Sequence, residues 1–286
     1  MANLKNIRSQ IKSVTSIQKV TKAMKMVAAA KLRKSQENME KARPYSERLK
    51  DMIVELIQDV NRDSMPLLTK RNSVNKYGFV IVTADRGLAG SFNTNIIKKS
   101  EQEIQQVGKE NAELFCLGKK GFEHFSKRDY KINKNYTDFW VNLNYNKAID
   151  VGRDIINAYL NKEVDSIKVI YNYFKNVGSQ KVLLDNLLPL DFDKKTKALY
   201  QDVIYEPSKI EIVKSLVPKY FNTQIWQYLL ESFASEQAAR MLAMENATEN
   251  AKDMINDLNL EFNKARQTAI TTEMLEIVGG AEALSN

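Results

Sequence analysis

From Lys219 to Val278 the chain runs 60 residues without a glycine or a proline. Glycine frees the backbone and proline removes an N–H donor, so a run lacking both reads as one uninterrupted helix. At about 1.5 Å per residue such a helix spans roughly 90 Å, more than the diameter of a small domain. A core built from the same chain cannot enclose it, so its ends must project or meet something else. The opening segment follows the same rule: no glycine occurs between Met1 and Tyr77, and the only prolines there are Pro44 and Pro66.

The apolar spacing at the two ends is that of paired helices. Leu4, Ile7, Ile11 and Val14 lie three and four apart, as in a two-helix seam. Ile17, Val20, Met24 and Val27 continue the stripe in a shifted frame, because the step from Val14 to Ile17 is three where a regular heptad needs four. A step of that kind overwinds a coiled coil locally. Met254, Leu258, Phe262, Ala265 and Ala269 offer a seam near the other end, and residues 235–250 are rich in alanine and small polar residues that permit close approach.

Charge points to the same pairing. Residues 1–50 carry 13 Lys+Arg against 3 Asp+Glu, whereas residues 219–286 carry 5 against 10, so the ends have opposite sign within a chain of net charge +8. The expected fold class is α/β: N- and C-terminal long helices forming an antiparallel coiled coil, with an inserted Rossmann-like α/β domain. The expected segments are an N-terminal helix over 1–60, the central domain over 75–205 and a C-terminal helix over 209–284.

Eight of the ten glycines fall between Gly78 and Gly178, which sets the middle apart. Tyr77–Thr83 (YGFVIVT) has the pattern of a buried strand, followed by a glycine turn and a helical stretch from Asn93 to Val107. A second strand is expected over Ala112–Gly118, a short helix in KKGFEHFSKRD, a helix over Tyr145–Leu160 and an apolar strand over Ser166–Phe174. KVLLDNLLPL and LYQDVIYEP are two further strand candidates, placed antiparallel at an edge of a mostly parallel, doubly wound sheet.

The chemistry-bearing residues do not assemble into a catalytic signature. Residues 83–93, TADRGLAGSFN, lie where a doubly wound fold would bind a phosphate, yet Gly87 and Gly90 satisfy neither the phosphate-loop nor the dinucleotide spacing. They read as a tight strand-to-helix turn. His124 has no Asp, Ser or Cys constellation near it in sequence, and Cys116 sits in an apolar strand as a small core residue. One cysteine and one histidine exclude an internal disulfide and a Cys/His zinc site. No catalytic residue, cofactor or metal is therefore expected.

The basic first helix suggests nucleic acid or an acidic membrane surface, but residues 1–44 hold no aromatic side chain to stack on bases or anchor at an interface, so a solvated or protein-facing surface is the better reading. No run approaches the about 18 apolar residues of a membrane span, and mean hydropathy is −0.43, so a soluble chain without direct membrane insertion is expected. The start shows no secretory or transit signal.

Three strings carry a resemblance. QKVTKAMKMVAAAKLRKSQ near the start, TADRGLAGSFN in the middle, and SEQAARMLAMENATENAKDMI with FNKARQTAITTEMLEIVGGAEAL at the end resemble the gamma subunits of F-type ATP synthases, of the bacterial type, in order and in spacing. The resemblance covers both terminal helices almost continuously and the opening of the central domain; residues 120–200 match only in general pattern.

The resemblance implies a central-stalk rotor, itself non-catalytic, that couples ion translocation through the membrane sector to ATP synthesis or hydrolysis at a ring of alpha and beta subunits. It implies one copy per complex, no nucleic acid, and a peripheral place on the cytoplasmic face of a bacterial cell membrane. Carried over by position, Met24, Lys25, Arg266, Gln267, Thr271, Glu273 and Glu276 match segments that meet the alpha/beta ring. Tyr205 and Glu206 match a surface facing the epsilon subunit and the c-ring. The cysteine pair of the chloroplast members is absent, so thiol switching is not expected.

Overall fold

A computed structural model describes residues 4–57, 65–192 and 205–285. Two helices account for the chain ends: α1, Leu4–Leu56, of 53 residues, and α5, Lys209–Ser285, of 77 residues. The chain divides into two compact units, Met1–Val27 with Met241–Asn286, and Ala28–Arg240. Both long helices contribute to both units.

The larger unit is built on a five-stranded sheet in the order β3-β2-β1-β4-β5. Its strands are β1 (Tyr77–Val82), β2 (Ala112–Leu117), β3 (Ile132–Tyr136), β4 (Ser166–Asn176) and β5 (Ser179–Leu188). Pairing is parallel through β3, β2, β1 and β4, and β5 returns antiparallel along β4, with Leu184 opposite Ile170. Alternation of side chains across the pleat splits β1 between two cores. Val80 and Val82 face α4 (Tyr145–Leu160), the end of α1 and the first turns of α5, among Val151, Ile155, Ile53, Phe221 and Leu229. Phe79 and Ile81 face the other way, onto α2 (Phe92–Val107) and α3 (Lys119–Ser126), among Ile96, Ile104 and Phe125. Covering both faces is what allows β1 and β2 to be continuous apolar runs.

Strand β3 has no counterpart among the sequence expectations. INKNY carries no apolar run because it lies at the sheet edge, where polar and basic side chains discourage pairing with another chain. The proposed strand LYQDVIYEP lies outside the described residues over 199–204, and residues 205–207 are not in a strand.

Both long helices run through a proline, Pro44 in α1 and Pro218 in α5. Each proline costs a helix interior on the order of 3 kcal/mol. Packing offsets that cost: Leu49 and Ile53 follow Pro44 into the core, and Val217, Tyr220 and Phe221 flank Pro218 there. Helix α4 approaches α5 so closely that a Cβ at Gly152 would lie 2.1 Å from Asn222 Oδ1. In the same unit α1 and α5 meet through Leu32, Ala234 and Ala238, and Ser35 Oγ donates to the Leu230 carbonyl at 3.1 Å.

In the smaller unit α1 and α5 form an antiparallel coiled coil. As α1 advances from Arg8 to Thr21 to Lys25, its contacts on α5 retreat from Phe262 to Thr248 to Glu245. Its covered positions include Leu4, Ile7, Ile11, Val14, Gln18, Thr21 and Lys25, an unbroken alternation of three and four, with Thr15 and Met24 half-covered beside them. Of the shifted frame expected after Val14, only Met24 is partly covered. Ile17, Val20 and Val27 stand outside the pair, each more than half exposed. The reason lies on α5, which opposes this stretch with Glu245, Thr248 and Ala251: a surface that matches polar groups and has little to bury an isoleucine against. The seam on α5 runs through Met244, Thr248, Ala251, Ile255, Leu258, Phe262 and Ala265. Met254, expected in it, is 53% exposed while Ile255 takes the place, and Ala269 is exposed.

Candidate functional site

The crevice beyond the C-terminal ends of the parallel strands is where a doubly wound fold receives a nucleotide. Here the chain fills it with its own groups. Asp85 Oδ1 accepts the Lys119 N–H at the start of α3, 2.9 Å away, the kind of donor a phosphate would otherwise take. Its other oxygen accepts the Trp140 N–H at 3.3 Å, and the Trp140 indole donates to the Thr83 carbonyl at 2.8 Å. Asn93 Oδ1 accepts from the Ala84 N–H, and Thr83 Oγ1 accepts from the Gly121 N–H, each at 2.9 Å. At Gly118, φ is +102° and a Cβ would come within 2.0 Å of the Thr83 carbonyl oxygen. A fixed carboxylate and a packed tryptophan leave this turn as a structural joint, in agreement with the missing phosphate-loop spacing.

The other chemistry-bearing residues are also accounted for by packing. His124 Nε2 lies 2.8 Å from Glu101 Oε1, a bridge between α3 and α2. Cys116 is fully buried in β2, and burial pushes its thiol up to about 12. Glu236, also buried, is held against Arg240 at 2.5 Å, and Arg240 donates onward to the Gly87 carbonyl at 3.1 Å. Burial raises the Glu236 carboxyl above its usual range, with the Arg240 guanidinium pulling it back. Among the described residues no group of three or more His, Cys, Asp or Glu side chains could hold a metal ion, and no helix is long and apolar enough to cross a membrane.

The surface of the helix pair differs from these closed sites. Met24 is half-covered, and Lys25 is drawn into the seam by Glu245 at 2.5 Å. Arg266, Gln267, Thr271, Glu273 and Glu276 are all exposed on α5. The hydroxyls of Thr268 and Thr271 donate back to the carbonyls of Lys264 and Gln267. Lys25 meets α5 at Glu245, and at about 1.5 Å per residue Arg266 lies roughly 30 Å farther along that helix. The expected ring contacts are thus two patches on the helix-pair unit. Tyr205 and Glu206 belong to the larger unit: Tyr205 packs against its core with Lys209 Nζ 5.0 Å above the ring, and Glu206 is exposed.

Sequence reasoning missed the apolar residues that surround these patches. The apolar spacing places Ile17, Val20 and Val27 in the seam, whereas each is more than half exposed. Ile270, Met274, Leu275, Ile277 and Val278, which were not singled out, are all at least half exposed on α5 beyond the last covered seam position of its partner. The signal was present: Gln18, Thr21 and Lys25 continue the first heptad frame without a break, which leaves the neighbouring apolar stripe free.

Known proteins with this arrangement carry it over their whole length. The family described as ATP synthase matches residues 3–284. The ATP synthase gamma chain of Prosthecochloris aestuarii is 47% identical, with 99% of each chain covered, and that of Chlorobium luteolum is 47% identical with both covered fully. Among solved structures, a chain of the Euglena gracilis mitochondrial ATP synthase (OSCP/F1/c-ring) superimposes with a TM-score of 0.69 at 21% identity, over 98% of this chain and 94% of that one. A chain of the Tetrahymena thermophila central stalk/c-ring structure gives 0.62 at 24% identity, over 80% and 99%. The structural likeness supports the fold, and the full-length sequence identity decides the assignment: the chain belongs to the ATP synthase gamma-chain family.

Proposed function

We propose that this chain is the rotating shaft of an ATP synthase central stalk, present once per complex and without catalysis of its own. In this reading the segments 1–60 and 209–284 transmit torque, and the segment 75–205 is the domain that joins them to the rest of the rotor. The observation that carries it is the set of large apolar side chains standing outside the helix pair. Ile17, Val20, Val27, Ile270, Leu275, Ile277 and Val278 are each at least half exposed on elements whose own seam is already formed. Exposed apolar stripes of this kind mark protein contacts. They are interspersed with Arg266, Glu273 and Glu276, so the surface can meet successive neighbours without one broad apolar anchor that would lock it in place.

Met24 and Lys25, with Arg266, Gln267, Thr271, Glu273 and Glu276, would face the alpha/beta ring; Tyr205 and Glu206 would face the epsilon subunit and the c-ring. An off-axis helix pair presents a different face to each beta subunit, so rotation biases each toward a different nucleotide state and couples ion flow to ATP synthesis or hydrolysis. The complex would hold the chain peripherally at the cytoplasmic face of a bacterial membrane.

The test is assembly with partner alpha and beta subunits. The full chain alone should not hydrolyse ATP; the assembled complex should, with rotation of this chain. Ile17→Asp with Val20→Asp and Ile277→Asp should leave helicity and the isolated chain's stability within about 0.5 kcal/mol, since the sites are exposed, while assembly or coupled turnover falls at least tenfold. ATP hydrolysis at a motor-like rate by the chain alone, or full coupling in the triple variant, would refute the proposal.

A further inference from the structure

The coiled coil of the smaller unit could have been zipped by the apolar residues that its sequence offers. The structure chooses otherwise: between the apolar layers at Val14 and the start of the larger unit, the seam of α1 is Gln18, Thr21 and Lys25, with Met24 half-covered at its side. Thr21 Oγ1 and Thr248 Oγ1 share a hydrogen bond of 2.8 Å, and Thr21 is only 8% exposed. One helical turn on, Lys25 Nζ meets Glu245 Oε1 at 2.5 Å, with about a third of each side chain still exposed. Thr248 also donates to the Met244 carbonyl, and Thr21 to the Gln18 carbonyl, so each hydroxyl can donate along its own helix or across the pair.

Polar pairs at a seam stabilise little, because the groups were satisfied in water; their effect is to penalise every other pairing. The alternatives can be read from the sequence. Displaced by one heptad in one direction, Lys25 would face Lys252 and Thr21 would face Ile255. Displaced in the other, Thr21 would face Met241, Glu245 would face Gln18, and Lys25 would lose its carboxylate. Rotated into the frame of Ile17, Val20 and Val27, α1 would bring Ile17 level with Lys252 and Asp253 and Val20 level with Glu249 and Asn250, and would abandon both polar pairs. Every alternative leaves a charge or hydroxyl mismatched, whereas the observed register satisfies all four groups.

We propose that Thr21–Thr248 and Lys25–Glu245 are the residues that specify the register and rotational frame of this helix pair, and thereby hold Ile17, Val20 and Val27 outward. The inference concerns the isolated chain and stands apart from its role in any complex.

The experiment uses the full chain with Cys116 replaced by Ala and cysteines introduced in pairs: Ile11→Cys with Leu258→Cys in register, and Ile11→Cys with Ala251→Cys or Ala265→Cys one heptad to either side. In the parent, mild oxidation should cross-link the first pair at least twentyfold more than the other two. The apolar variant Thr21→Val, Lys25→Leu, Glu245→Leu, Thr248→Val should raise one displaced pair to a tenth or more of the in-register yield. It should also slow thiol labelling of Ile17→Cys at least threefold. Lys25→Glu alone should broaden the pattern, and Lys25→Glu with Glu245→Lys should restore it. An unchanged ratio in both the apolar variant and the single reversal overturns the proposal. Should the apolar variant lose helicity, equal ratios in the single reversal and the exchange overturn it alone.

Discussion

Arg240 is a sensitive point in the larger unit, and its removal gives a quantitative test. Its side chain is 12% exposed, its guanidinium sits 2.5 Å from the carboxylate of Glu236, whose side chain is 6% exposed, and it donates at 3.1 Å to the Gly87 carbonyl in the turn after β1. Arg240→Met keeps most of the side-chain volume, deletes the positive charge and strands a buried carboxylate. Stranding one partner of a buried pair costs about 3–5 kcal/mol, a large share of the 5–15 kcal/mol that holds a domain together. Both tryptophans, Trp140 and Trp226, lie in this unit, so their fluorescence in urea reports its unfolding. With a slope of about 2–3 kcal/mol/M, the midpoint should fall by roughly 1–2.5 M.

The loss should depend on pH, with a definite sign. Burial already raises the Glu236 carboxyl, Asp85 adds to the rise, and Arg240 and Lys31 oppose it. Without Arg240 the native state holds its proton more readily than the unfolded chain does, so stability falls as pH climbs from the ordinary carboxyl range through the raised folded value. The deficit relative to the parent should therefore be smaller at pH 5 than at pH 8. Adding Glu236→Gln should recover most of the loss and abolish that pH dependence. A deficit under about 1 kcal/mol that is equal at both pH values would show that the pair is dispensable, and the reasoning from burial would fail.

Two further outcomes follow from the closed crevice and the core. Gly118→Ala combines a φ of +102° with a Cβ 2.0 Å from a backbone oxygen; it should destabilise the larger unit by about 3 kcal/mol, and a loss below about 1 kcal/mol in urea unfolding would contradict the close approach. Cys116, buried and pushed up to about 12, should resist thiol reagents at pH 8 and label only when urea unfolds the chain; prompt labelling of the native protein would mean that β2 is open to solvent.

Much of the architecture was legible because it rests on rules local to the chain. The glycine-free, proline-poor ends announced long helices, the apolar runs at Tyr77 and Ala112 announced two-sided strands, and opposite end charges announced that the two ends pair. Strand β3 was not legible, since an edge strand is defined by its neighbour and INKNY has no apolar signature of its own. The prolines at 44 and 218 were tolerated for a similar reason: distant packing offsets a local penalty.

What the sequence determined by itself, then, is every element of the larger unit's sheet except β3, the two long helices and the family, because backbone propensity, apolar periodicity and motif strings are all properties of neighbouring residues. What only the tertiary structure decided is which face of each element turns inward. In α1 two apolar frames compete, and the choice falls to Thr248 and Glu245, more than 200 positions away. Burial is a relation between two surfaces, and a stripe of isoleucine and valine read on one helix cannot say whether its own partner, or another protein, will cover it.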